Sequence, residues 1–169
     1  MDKEISELIF EYTSHRQLDY AEFNEQIAIA LSIFYIDSKM ENINSNKNMM
    51  EFHNLIMLIM IYKLERKYQL FLVDALLFDW HRDHENIASI IQKLKAKEIL
   101  TILDSIVINK IDYLWNSETD WYGYIRRLFY TLGDINDSDC RQELLKYSNN
   151  SDAQISLLAN EQLRRIDKR

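Results

Sequence analysis

Apolar residues fall on a helical period from the first turns of the chain. Ile5, Leu8, Ile9 and Tyr12 sit at i, i+3, i+4 and i+7, and Phe23, Ile27, Ala30, Leu31 and Phe34 draw the same stripe in a second segment. The run ENINSNKN, Glu41 to Asn48, is polar, Asn-rich and without period, which predicts the main loop of the N-terminal half. From Met49 to Phe78 the pattern is almost continuously helix-compatible. LIMLIMIY, Leu55 to Tyr62, is apolar all round, as expected of a central helix covered on most sides. The charged LERKYQ then separates it from LFLVDALLF, Leu70 to Phe78. Two antiparallel helices turning near Lys67 fit better than one very long helix. A block so rich in Met, Leu and Ile reads as core packing and not as a cofactor box.

Beyond residue 67 the pattern acquires a rhythm. Amphipathic segments pair up: Leu70–Phe78 with Glu85–Leu94, Ile99–Ile111 with Tyr122–Leu132, and Cys140–Tyr147 with Ala153–Ile166. Ile87, Ile125 and Leu158 hold corresponding places in the second member of each pair, 38 and 33 residues apart. Two helices per unit at this period is the mark of an α-solenoid, in which neighbouring pairs must stack to bury their apolar faces. The expected architecture is one all-helical domain, with irregular helices over residues 1–66 and stacked helix pairs over 67–169.

Composition supports this reading. The chain has no proline and two glycines, Gly123 and Gly133, which leaves little material for hairpins and sheets. Its 169 residues, 47% hydrophobic, suffice for one domain with a single core. The lone Cys140 cannot form an internal disulfide, the start MDKEISELIFEY lacks a secretory pattern, and the longest apolar run is too short to span a bilayer. A cytoplasmic protein away from the membrane is expected. The formal charge of −7 disfavours nucleic acid, whose phosphates need clustered Lys and Arg; it permits fast capture of a basic partner and equally serves plain solubility.

Two stretches carry candidate chemistry. DWHRDHE, Asp79 to Glu85, gathers two histidines and three acids. If it is helical, His81, His84 and Glu85 share one face, yet a zinc site needs three or four ligands held in tetrahedral geometry, and beyond these three no distant partner is evident. The better reading is a helix turn. One helix ends near Asp79 or Trp80, Asp83 caps the next or stands as an acid in its first turn, Glu85 faces the positive end of its dipole, and Trp80 packs in the joint. His81 and His84 are then partly exposed and available to a partner. YLWNSETDWYGYIRR, Tyr113 to Arg127, sets Trp115, Trp121, Tyr122 and Tyr124 among Glu118 and Asp120. Such rings either fill the core or serve as binding hot spots, with the acids steering a basic ligand. The candidate partner-binding residues are therefore Asp79, His81, Asp83, His84, Glu85, Glu118, Asp120, Trp121, Tyr122 and Tyr124. No catalytic set, cofactor or metal site is expected. Cys140, at a helix start beside Asp139, reads as an ordinary thiol.

The last forty residues add a resemblance. Ile125 to Ile166 runs from a helix ending at Leu132-Gly133-Asp134-Ile135, through an apolar helix at QELL and a polar turn at NNSD, to AQISLLANEQLRRI. This resembles HEAT-like repeats, with Gly133 expected to take the left-handed conformation that stops the helix, Asp152 or Ser151 to cap the next, and Ala159 and Leu163 to form an inner seam. Extended back through Trp80-His81, His84-Glu85 and Ile87, the segment from about Leu70 looks like the small HEAT-like immunity proteins of bacterial polymorphic toxin and contact-dependent growth-inhibition systems. That resemblance implies a non-enzymatic protein that binds the C-terminal domain of a cognate toxin, a basic nuclease for choice, and occludes its active site. A general helical scaffold without a toxin partner is the alternative reading.

Overall fold

A computed structural model describes residues 33–115 and 118–168, and among these the chain is all α-helical, with nine α-helices and no strand. None of these helices is long and apolar enough to cross a membrane. The chain divides into two compact units, Met1–Lys63 and Leu64–Arg169. The two stripes predicted between Ile5 and Phe34, and His15 with them, lie outside the described residues or side chains.

In the first unit, α1 (Ile33–Asn46) packs on α2 (Met49–Ile61). The predicted loop at Glu41–Asn48 is helical for six of its eight residues, so the true connection is Lys47 and Asn48. Two buried isoleucines seven apart, Ile36 and Ile43, hold this polar stretch helical from one side, which a search for dense periodicity misses. Lys47 takes the left-handed conformation (φ 47°) and donates its N–H to the Ile43 carbonyl. Asn48 caps α2 by accepting the Glu51 N–H at 3.2 Å, and Glu51 also meets Lys39 at 2.7 Å. Helix α2 stops at Ile61, where Lys63 again goes left-handed (φ 55°). The Met49–Phe78 stretch is thus two helices, as its charged break predicts.

The second unit begins with α3 (Gln69–Ala75), which ends at Ala75, earlier than the predicted Asp79, because three successive N–H groups from Leu76 to Phe78 turn back onto its last carbonyls. Helix α4 follows at His84–Leu94 and closes on left-handed Lys95 (φ 52°). The single helix expected over Ile99–Ile111 is instead a 3-10 helix, Lys97–Thr101, and two short helices, α5 (Leu103–Ile108) and α6 (Asp112–Trp115). Long α7 (Glu118–Ile135), α8 (Ser138–Ser148) and α9 (Ala153–Asp167) complete the chain.

Polar ties between residues 30 to 42 positions apart set the order of packing. Arg127 reaches Ser89, and Gln92 reaches Asp134, from α7 to α4. Tyr122 reaches Asp152, and Arg165 reaches Asp134, between α7 and α9. Residue numbers rise together across each pair, so α4, α7 and α9 run parallel in one layer. Lys97 to Asp137 and Asp139, and Lys146 to Asp104, tie the 3-10 and α5 region to α8 in the same sense. The three corresponding positions read from the sequence, Ile87, Ile125 and Leu158, are all fully buried.

Two capping expectations part company here. Asp152 caps α9 as predicted, accepting the Gln154 and Ile155 N–H groups at 2.9 and 3.2 Å. Gly133 does not stop α7. The helix runs on to Ile135 and the left-handed residue is Asn136 (φ 56°). Gly133 serves close packing instead: a Cβ there would stand 2.5 Å from the Arg165 guanidinium and 3.2 Å from Gln162 Oε1.

Candidate functional site

The two stretches singled out by sequence meet in the fold. Asp79–Glu85 forms the connection into α4 and its first turn. Tyr113 lies on α6, and Asp120 to Tyr124 lie on the first turns of α7, which packs along α4.

Beneath the surface they form a cluster of buried rings. The imidazoles of His81 and His84 stack with centroids 4.1 Å apart. His84 and Tyr124 stand edge to face with centroids 5.9 Å apart, and the Trp121 ring centroid lies 6.0 Å from that of Tyr124. His81 is fixed from both sides. Its Nδ1 accepts the Asp83 N–H at 3.0 Å, so the proton resides on Nε2, which donates to the Ala75 carbonyl at 2.8 Å. His81 thus adds a second donor to the Ala75 carbonyl, which already accepts the Phe78 N–H at 3.1 Å, and ties the connection to the end of α3. His84 Nδ1 shares a hydrogen bond of 2.8 Å with the Tyr113 hydroxyl.

Burial governs the ionisation of this cluster. It lowers the pKa of His81, against a smaller upward pull from the Ala75 carbonyl and Asp83. It lowers that of His84 to about 3, with the neighbouring His81 acting in the same direction and the Phe78 carbonyl opposing. It pushes Tyr113 up to about 12 and Tyr124 higher still. At neutral pH every member is uncharged. Two polar atoms, His84 Nε2 and the Tyr124 hydroxyl, have no hydrogen-bond partner of good geometry.

Above the cluster an open pocket of about 280 Å³ is lined by Arg82, Glu85, Asn86, Tyr113, Leu114 and Asp120. Glu85 and Asp120 are exposed, and the Arg82 guanidinium stands 5.8 Å from the Tyr113 ring centroid. Tyr113 therefore belongs to both levels. Its ring lines the pocket and its hydroxyl is anchored on buried His84.

The candidate residues divide accordingly. Asp79, Glu85 and Asp120 are exposed, and Tyr122 is half-buried with its hydroxyl on Asp152. Glu118 opens α7, but its side chain lies outside the described ones, as does that of Trp115. The remaining five, His81, Asp83, His84, Trp121 and Tyr124, are buried, at 5% exposure or less. The expectation of partly exposed histidines fails because the helix starts only at His84, which leaves His81 outside it and folds both rings inward instead of along one helical face. Asp83 occupies the N-cap position, yet its carboxylate accepts from the Asn86 side chain at 3.0 Å and not from a helix N–H. Among the described residues no group of three or more His, Cys, Asp or Glu side chains is placed to hold a metal ion. Cys140 is buried, and burial pushes its thiol up to about 12, with the Asp137 carboxylate adding to the rise.

Sequence reasoning passed over Tyr113, Arg82 and Asn86 as individual residues. No short-range pattern signals the contact, since Tyr113 lies 29 residues beyond His84. No protein family, curated protein or solved structure matches this chain.

Proposed function

We propose that this chain is an immunity protein: a non-enzymatic, HEAT-like helical array that binds the C-terminal domain of a cognate bacterial toxin in the cytoplasm of the producing cell and occludes its active site. The observation that carries the reading is the meeting of both acid- and aromatic-rich stretches at one polar pocket over a buried, uncharged platform of rings. A rigid floor with exposed carboxylates at Glu85 and Asp120 suits capture of a Lys or Arg side chain. Tyr113, half-exposed and held from below, is the kind of pre-oriented aromatic that anchors interfaces. The parallel layer of α4, α7 and α9, tied at repeat-length intervals, supports the solenoid part of the proposal. The two histidines, buried and neutral, are poorly placed for acid–base work at a surface.

The test is co-expression with the C-terminal domain of the toxin encoded beside it. Growth rescue and a stable complex are expected. Exchanging Glu85 and Asp120 for arginine should lower affinity by about tenfold or more, since like charges then face a basic partner. Unimpaired rescue by that variant would remove this pocket from the interface, and failure of the unaltered chain to rescue would remove the immunity reading.

A further inference from the structure

A second pocket, of about 290 Å³, opens along the same two helices farther toward their C-terminal ends. It is lined by Gln92 of α4 and by Gly123, Arg126, Arg127 and Tyr130 of α7. Two adjacent arginines at one opening are unexpected in a chain of formal charge −7. Both are loosely held. Arg127 donates to the Ser89 hydroxyl at 3.3 Å, and Arg126 Nε stands 3.9 Å from the Glu161 carboxylate with 48% of its side chain exposed. Arg165 beside them is different. It bonds to Asp134 at 2.9 Å and the Tyr130 carbonyl at 3.1 Å, and its guanidinium stacks over the Tyr130 ring at 4.4 Å. One arginine ties the fold together, whereas the other two keep donors to spare.

Gly123 supplies the second observation. Glycine weakens a helix interior, and structure normally requires it for one of two reasons: a positive φ or a close approach of neighbouring atoms. Among the described residues no glycine has a positive φ. A Cβ built at position 123 meets nothing within 4 Å, whereas one at Gly133 meets Arg165 at 2.5 Å. The fold accounts for Gly133 and leaves Gly123 without a purpose. The space above Gly123 is the pocket itself, and a bare backbone there admits a ligand close to the helix.

We propose that this pocket binds a carboxylate of a peptide ligand, gripped by the guanidinium groups of Arg126 and Arg127 while the residue that carries it lies against the backbone at Gly123. A planar carboxylate matches the guanidinium fork, which can bind it through two parallel bonds. Glu161 stands beside Arg126, and Asp134 accepts from Gln92 at 3.0 Å, so the surroundings already hold two carboxylates and tolerate a single added negative charge better than a doubly charged phosphate. This site does not depend on the immunity reading, since its residues lie outside the pocket at Glu85 and Asp120.

The experiment is a titration of the full-length protein followed through its backbone amide resonances, with N-acetyl-glutamate amide, N-acetyl-glutamine amide and inorganic phosphate as probes. The chain has two glycines, so Gly123 reports on the pocket and Gly133 serves as the control. Blocked glutamate should move Gly123 saturably and leave Gly133 in place, and blocked glutamine should move neither. Arg126→Gln and Arg127→Gln should each weaken binding by about tenfold, the worth of a charge-assisted bond. Gly123→Ala should melt at a higher temperature yet bind several-fold more weakly. A Gly123 signal that stays fixed, an affinity unchanged in Gly123→Ala, or tighter binding of phosphate than of blocked glutamate would each overturn the assignment.

Discussion

At the scale of single residues, the buried imidazoles make the fold sensitive to mild acid. In the unfolded chain each accepts a proton near pH 6.5, whereas folded His84 resists until about pH 3, and His81 is shifted the same way. Below pH 6.5 the unfolded state therefore binds more protons, so the stability these groups contribute is complete above that pH and declines as pH falls. Each imidazole adds a slope of up to about 1.4 kcal/mol per pH unit. Urea midpoints between pH 6.5 and 5, above the range in which carboxylates titrate, should show the decline, and His84→Phe should make it shallower. An unchanged slope in that variant would mean that His84 is not held neutral. Tyr113→Phe should cost about 1–2 kcal/mol, because it removes a hydrogen bond that a buried nitrogen cannot replace with water. At this scale the site was half legible. Glu85 and Asp120 are exposed as charge alone suggests. His81 and His84 turned inward because a carbonyl at Ala75 and a hydroxyl at Tyr113 offered bonds that repay burial, and neither partner is visible in a window of seven residues.

At the scale of elements, the two glycines separate two uses of the same residue. Gly123→Ala should stabilise the protein by about 0.5–1 kcal/mol, the ordinary gain in a helix interior with free space. Gly133→Ala should destabilise it by about 1 kcal/mol, since displacing Arg165 from Asp134 and Tyr130 outweighs that gain. Chemical denaturation of the two variants side by side should give opposite signs. Asp152 is a joint of comparable weight, capping α9 while accepting from Tyr122 of α7 at 3.0 Å. Asp152→Ala should cost about 1–2 kcal/mol, and Asp152→Asn, which keeps most of the cap, distinctly less. The existence and order of the helices from Met49 onward were readable because apolar periodicity survives wherever a helix buries one face. Their ends were not. The chain leaves its helices at Lys47, Lys63, Lys95 and Asn136, all left-handed and none glycine, so the usual stop signal is missing from the sequence. The stretch from Ile99 to Ile111 broke into a 3-10 helix and a short α-helix although Ile99, Ile102, Leu103, Ile106 and Ile111 are buried and only Ile108 stands well out, because periodicity reports which residues are buried and not whether one axis carries them all.

At the scale of the whole molecule, the negative charge is unevenly shared. Residues 1–63 carry 5 basic and 10 acidic side chains, a net −5, whereas residues 64–169 carry 15 and 17, a net −2. The helix pairs proposed to dock the toxin are thus close to neutral, and the carboxylates proposed to hold it, Glu85 and Asp120, are a small part of the total charge. Long-range attraction and short-range fit are then separable properties. Attraction follows the total field and acts over roughly a Debye length, about 10 Å at 0.1 M salt and about 3 Å at 1 M. Association with a basic toxin domain should slow as salt rises across that range. Exchanging Glu85 for Gln and Asp120 for Asn removes two local charges out of a net of seven, so most of the salt dependence of the on-rate should remain. The loss should instead fall on the off-rate, which rises when a captured basic group is left without its partner. Stopped-flow association and dissociation rates at several salt concentrations resolve the two effects. If the paired substitution instead flattens the salt dependence and leaves dissociation untouched, the carboxylates act at a distance, and the pocket they line is not where the toxin is held.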